Sequence, residues 1–416
     1  MKQLLLFSVL SLNLTLFAQK DYAKSILDTL CSDYFSGRGY INDGVEKSAE
    51  FIKNELKNIG VSNFPNQKYI QNYSFGVNTF PFDLTLKLDD SVLVAGQDYL
   101  LNANSGTAQG DFKVIEINSS NYLSVETQPS NTNTIVVFNF TDLNHKDSVN
   151  YFFGLAVKTA KYAPTIWVQK TKMMYSVGRR HYPYPMIVVD KKAYFKPKNI
   201  TLKINNKYIP QYSNQNVIGY IPPAKKGLFH PEKYVVLSAH FDHLGKMGQA
   251  MFPGANDNAS GVAILLSMAK YYVKNPSKYG IVFCFFSGEE AGLEGSRYFV
   301  DHPYFKLKKV KFVLNIDIMG GASKNITVVN GTKHPKIFNQ MVRINQTKNY
   351  VTAVKKRGET SNSDHYFFSM MNVPAFFIYS GGEVKNYHDI YDTAENTPLT
   401  KFDEVQSLLI EFIEEL

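Results

Sequence analysis

Four stretches of this chain, Tyr234–Ala239, Ile281–Phe286, Lys311–Ile316 and Pro374–Tyr379, are apolar almost without interruption. A strand covered on one face alternates apolar and polar side chains, so an unbroken apolar run requires cover on both faces. Helical spacing lies between them. Val262, Leu265, Leu266, Ala269, Tyr272 and Val273 recur at intervals of three and four, and Ile337, Met341 and Ile344 do the same. The chain closes on a further stripe from about Lys401, with Phe402, Val405, Leu408, Leu409 and Phe412 reading as core packing. Strands of this kind alternating with helices predict an α/β fold, a mostly parallel central sheet flanked by helices.

Ligands of such sheets bind beyond the carboxyl ends of the strands. Each run leads straight into acids or imidazoles there. The first is followed by His240, Phe241, Asp242 and His243, and the next helix is entered through Gly254, Ala255, Asn256, Asp257 and Asn258. The second run leads to Glu289 and Glu290, the third to Asp317, the last to Tyr387, His388 and Asp389. Alone, Asp257 reads as a helix N-cap. As a set, three or four carboxylates at close quarters require a cation to offset them. Imidazole and carboxylate without thiolate suit zinc best, ahead of manganese or cobalt, and two ions sharing a carboxylate suit hydrolysis. Asp242, two residues after His240, falls on the same face if the strand continues and would orient the imidazole. His243 would turn to the other face. Asp364 and His365 follow Ser363 at an expected helix start, where capping competes with a role behind the site.

The strings HFDHLG (240–245), GANDNASG (254–261), SGEEAGLEGS (287–296), NID (315–317), SDH (363–365) and YHDIYDT (387–393) resemble the di-zinc aminopeptidases of clan MH. That clan also holds glutamate carboxypeptidase relatives and glutaminyl cyclases. The resemblance runs from about Gln215 to Leu416, and Ser36, Gly37, Arg38 and Gly39 match the family's opening. It implies a zinc exopeptidase fold with two Zn2+ ions: His240 and Asp317 on one, Glu290 and His388 on the other, Asp257 between them, Glu289 as general base. Tyr387 is a candidate donor to the oxyanion. Peptide or protein N-termini are the implied substrates. Glutaminyl cyclisation, carboxypeptidase action with Arg357 gripping a terminal carboxylate, and an inactive receptor-like module are the alternatives.

Upstream, Ile26, Leu27 and Leu30, then Phe51, Ile52, Leu56 and Ile59, predict two helices bracketing the turn Ser36–Tyr40. From Phe80 to Tyr212 the texture changes to short β-like runs, Thr134–Asn139, Thr165–Val168 and Met186–Asp190. This segment, 81–212, reads as a smaller β-rich α/β insert resembling a protease-associated domain, set between residues 19–80 and 213–416. The basic, aromatic stretch Lys170–Tyr184, with Arg179, Arg180 and His181, is a candidate to lie near substrate. Residues 1–18, Lys2 followed by an apolar run and Ala18, are laid out as a signal peptide, which predicts export to the periplasm or beyond and no stable anchor after cleavage. The charge of +9 is scattered, as in Lys306, Lys308, Lys309 and Lys311, and lacks the basic stripe of a nucleic-acid binder. The two cysteines, Cys31 and Cys284, suggest no disulfide.

Overall fold

The computed structural model describes residues 19–123, 133–224 and 233–416. The expected signal peptide, 1–18, lies outside the described residues. No helix among them is long and apolar enough to cross a membrane, and Cys31 and Cys284 are both free thiols.

The central sheet has eight strands in the order Ile70–Thr79, Lys207–Ile221, Gly280–Phe286, Tyr234–His240, Val310–Ile316, Ala375–Gly381, Asn325–Val329 and Val354–Lys356. Its four middle strands, Gly280–Phe286 to Ala375–Gly381, are the apolar runs of the sequence and are mutually parallel. The reason for their unbroken apolar texture is visible in the packing. Val235, Leu237, Phe283, Leu314 and Phe376 face one way, into a core shared with the helices 19–30, Gly44–Ile59, Ser260–Lys274, Pro335–Lys348 and Phe402–Glu414. Val236, Val282, Cys284, Val313 and Ala375 face the other way, against Phe299 and Phe368 of the short helices Glu294–Asp301 and His365–Met370. Neighbouring residues thus lie in different cores, and each buried Val, Leu or Phe contributes roughly 1.5–3 kcal/mol. The fold is α/β, as the patterning predicts.

The outer pair Ile70–Thr79 and Lys207–Ile221 is antiparallel and is held partly by buried amides. Asn216 donates to Gln71 Oε1 at 3.1 Å and to the Gly295 carbonyl at 2.9 Å. Between these two strands the chain builds a second eight-stranded sheet, from Thr85–Leu88 to Asn199–Ile204, inside the segment 81–212. The helix Lys146–Thr159 covers one face of it, where Phe140 stacks on Phe152 at 3.8 Å between ring centroids. The other face, including Leu86, Ile135, Ile166 and Ile187, packs on Leu244, Met247, Ala250 and Phe252. Those four belong to the segment around the hairpin Gly245–Met247/Ala250–Phe252, which joins His243 to Gly254. The two sheets therefore meet at the connection between two groups of candidate ligands.

Candidate metal centre

The parallel strands end at one edge, and the predicted side chains gather there. His240 is the last residue of its strand; Asp317 follows Ile316 directly, and Glu289 and Glu290 stand on the turn after Phe286. The entry to helix Ser260–Lys274 brings Asp257 beside Asp317, because a Cβ at Gly261 would meet the Ile316 carbonyl at 2.7 Å. Only glycine permits that approach. Asp257 makes no side-chain cap. Its two carboxylate oxygens instead face two rings, Oδ1 lying 3.2 Å from His240 Nε2 and Oδ2 3.2 Å from His388 Nε2. Asp317 Oδ1 is 3.2 Å from the same His240 nitrogen, and Glu290 Oε2 is 3.2 Å from that of His388.

The other ring nitrogens are already occupied. His240 Nδ1 donates to the Asp242 carbonyl at 3.1 Å, and His388 Nδ1 donates to the Tyr175 carbonyl at 3.0 Å. Each hydrogen bond fixes a tautomer whose Nε2 presents a lone pair to two carboxylate oxygens. Lone pair against carboxylate is repulsive unless a proton or a cation lies between. The titration behaviour expresses the same demand. Burial pulls His240 down, but the Asp317 and Glu289 carboxylates outweigh it and hold the imidazole well above its ordinary range. His388, likewise opposed by burial, is pushed up to about 11 by Glu290 and Asp257. Burial, with Glu290 and Asp317 nearby, raises Glu289 well above the carboxylate range. An imidazole–carboxylate set asking for positive charge and lacking thiolate fits zinc. Donor atoms of His240, Glu289 and Asp317 lie within 4.8 Å of one another, and so do those of His243, Asp257 and Glu290.

Residues 216–413 match the family model for peptidase family M28. Aminopeptidase YwaD of Bacillus subtilis is 32% identical to this chain over 223 residues, 50% of this chain and 44% of YwaD. The vacuolar membrane protease of Saccharomyces cerevisiae is 27% identical over 208 residues, 49% of this chain and 18% of that protein. The chain thus matches less than half the length of these curated relatives. Among solved structures, BSAP, a zinc aminopeptidase from Bacillus subtilis, shares the fold with a TM-score of 0.70 at 19% identity, covering 95% of this chain and 94% of that one. A peptidase M28 precursor from Shewanella amazonensis gives 0.65 at 15% identity, with 97% of each chain covered.

Several residues of the M28 region sit differently from the sequence expectation. The strand ends at His240, so strand alternation does not extend to His243; its Nδ1 lies 2.8 Å from Glu290 Oε1 and the ring is fully buried. The Asp242 carboxylate stands 3.7 Å from His240 Nδ1, within ion-pair range of the ring it was expected to orient, while that nitrogen donates to the Asp242 carbonyl. Its carboxylate accepts from the Glu289 amide at 3.2 Å and the Tyr40 hydroxyl at 3.0 Å, which seats the Glu289 turn. Tyr387 stacks on the His388 ring, 3.9 Å between centroids, with its edge in solvent. Asp364 occupies an N-cap position without capping and is buried, its carboxyl pushed up to about 7 by desolvation. Ser363 is the member of that trio that touches the site, donating to Asp317 Oδ2 at 2.9 Å. Arg357 donates to the Tyr379 hydroxyl at 3.1 Å.

Three contributors escaped sequence reasoning. Asp392 accepts the amides of Asn256 and Asp257 at 2.8 and 3.0 Å and so fixes the Asp257 loop; the second acid of YHDIYDT was its only signal. Arg38, 0% exposed, donates to the carbonyls of Phe241 (2.8 Å), Pro253 (2.5 Å) and Gly254 (2.6 Å), closing the base of the hairpin that separates His240 from Asp257. The Tyr175 backbone, from the Lys170–Tyr184 stretch, makes two hydrogen bonds with His388, its carbonyl accepting from the ring and its amide donating to the His388 carbonyl, both at 3.0 Å.

Proposed function

We propose that this protein is an exported zinc-dependent aminopeptidase that removes N-terminal residues from peptides. The observation that carries the reading is the alternation of buried imidazoles and carboxylates about Asp257, whose two oxygens face His240 and His388 at 3.2 Å each. In this proposal His240 and Asp317 hold one zinc, Glu290 and His388 the other, and Asp257 lies between. Bound zinc supplies Lewis acidity, which polarises a carbonyl and makes water acidic near neutral pH. Glu289 takes the proton of the attacking water and hands it to the leaving nitrogen. Tyr387, fixed by its stack on His388, donates to the oxygen that gains charge. Asp242 keeps the Glu289 amide, and with it the turn, in register. The excess of carboxylates attracts a substrate's α-ammonium group. The segment 81–212 is the proposed protease-associated insert, and export rests on the layout of residues 1–18.

Leucine p-nitroanilide and its N-acetyl derivative, assayed before and after chelation and zinc restoration, test the reading. Cleavage of the free amine alone, lost on chelation and regained with zinc, is expected. Equal cleavage of both substrates removes the aminopeptidase assignment. Glu289→Ala is expected to keep its zinc while losing on the order of 10²–10⁴ in turnover, and wild-type rates would refute its role.

A further inference from the structure

Beside the candidate ligand Glu290 opens a cleft of about 570 Å³, walled by Glu290, Ala291 and Gly292 on one side and by Asn104, Val177, Arg179 and Arg180 on the other. Its size lies within the range of ~300–1,000 Å³ that holds small ligands. The cations of the Lys170–Tyr184 stretch, of which Arg179 and Arg180 line the cleft, differ in what they do. Lys170 donates to Asn144 at 2.7 Å, Lys172 pairs with Asp389, and Arg179 pairs with buried Glu294 while lying over the Phe75 ring. Among the described residues Arg180 has no ion pair, hydrogen bond or ring partner, and its side chain is exposed at the cleft. The backbone beneath it is firmly seated. Gly178 accepts the Asn78 amide at 2.8 Å and packs so closely on Ala103 that a Cβ would strike its carbonyl, and the Tyr182 amide donates to Asn104 at 2.7 Å. An uncommitted guanidinium therefore stands on a fixed support and lines the same cleft as the Glu290 carboxylate.

This charge layout, acidic at the ligand end and cationic at the far wall, matches a short zwitterion. An extended dipeptide sets its ammonium and carboxylate about 7 Å apart. We infer that Arg180 selects substrates bearing a carboxylate just beyond the cleaved bond, binding it through its planar fork of donors. The inference rests on the aminopeptidase reading and names its substrate class. The carboxylate has two sources, the C-terminus of a dipeptide or an acidic side chain in the residue after the cleaved bond.

Three substrates separate them: Leu-Leu, Leu-Leu amide and Leu-Glu amide, assayed for kcat/KM with the zinc-loaded full chain and its Arg180→Gln and Arg180→Lys variants. The wild type is expected to favour a carboxylate-bearing substrate over Leu-Leu amide by on the order of tenfold. Arg180→Gln should bring that ratio to about one, and Arg180→Lys should keep part of it. Preference confined to Leu-Leu identifies dipeptides; preference shared with Leu-Glu amide identifies the side-chain acid. Equal rates on all three in the wild type, or a ratio untouched in Arg180→Gln, overturns this inference and leaves the aminopeptidase reading standing. No hydrolysis of any of the three overturns both.

Discussion

Arg38 carries a full charge into the interior, where its guanidinium donates to backbone carbonyls rather than to a carboxylate among the described residues. Its fork ties Phe241 to Pro253 and Gly254, the two ends of one hairpin. An ammonium has no such planar fork, and a methionine would leave those carbonyls buried without donors, at about 1–3 kcal/mol each. Arg38→Met is therefore expected to lower unfolding stability by about 3 kcal/mol or more and to weaken zinc retention in a chelator competition. Unchanged retention together with an unchanged melting temperature would show that the clamp is not needed. At this scale legibility followed chemistry. That His240, Asp257, Glu290, Asp317 and His388 would gather at one place could be read because each lies after a strand or before a helix of the same sheet. Arg38 could not, since nothing in Ser36–Gly39 distinguishes a buried guanidinium from a solvated one. His243 was misjudged because its orientation depends on where the strand stops, and that is decided by pairing, the last ladder bond being Phe241 to Phe286 at 2.8 Å.

The stretch between Lys170 and Tyr184 is tied to the candidate metal centre although it arises from the other sheet. Besides the two Tyr175–His388 hydrogen bonds, Lys172 pairs with Asp389, and the Tyr175 ring stacks on Phe252 at 4.7 Å. A carbonyl that holds a ligand imidazole by its far nitrogen typically governs metal affinity by 10–100-fold. The double variant Lys172→Ala, Tyr175→Ala loosens that carbonyl without touching a proposed ligand. A fall of zinc affinity by about tenfold is expected, with far-UV circular dichroism unchanged; full affinity would show that the stretch only lies nearby. The elements themselves were unequally readable. The four middle strands were legible because both their faces are covered, and Thr134–Asn139 and Met186–Asp190 were found at their observed limits. Ile70–Thr79 and Lys207–Ile221 were hidden because buried amides such as Gln71, Asn214 and Asn216 replace part of the apolar pattern. Those amides have a local use, since Asn214 accepts the Ser287 hydroxyl at 2.8 Å at the start of the Glu289 turn.

For the molecule as a whole, the proposed zinc would offset the cost of gathering so many acids. Ligand linkage stabilises the folded state by about 2.7 kcal/mol at zinc one hundredfold above its Kd, so chelation is expected to lower the melting temperature by several degrees. The gap should widen with pH. Without zinc, His388 is protonated in the folded state with its pKa raised to about 11, from an ordinary 6.5. The stability this proton contributes is complete below about pH 6.5 and is lost as pH rises through the folded value. Zinc-loaded protein lacks that loss. Thermal scans between pH 7 and 10 with and without chelator measure it, and a gap that narrows as pH rises would contradict the assignment. At this scale, the α/β class was legible from the alternation of buried strands and helices, whereas the seating of one sheet on the other was not. That seating depends on Met247 and Phe252, whose apolar character alone does not say which core they enter. The outermost ladder carries a consequence for biogenesis. Among the described strands, Ile70–Thr79 is laddered along its length by Lys207–Ile221, with an entire second sheet between them in sequence. During synthesis its ten residues emerge long before they can be paired, so nascent chains carry an open β-edge through that interval, the kind of surface on which chaperones act and aggregates begin.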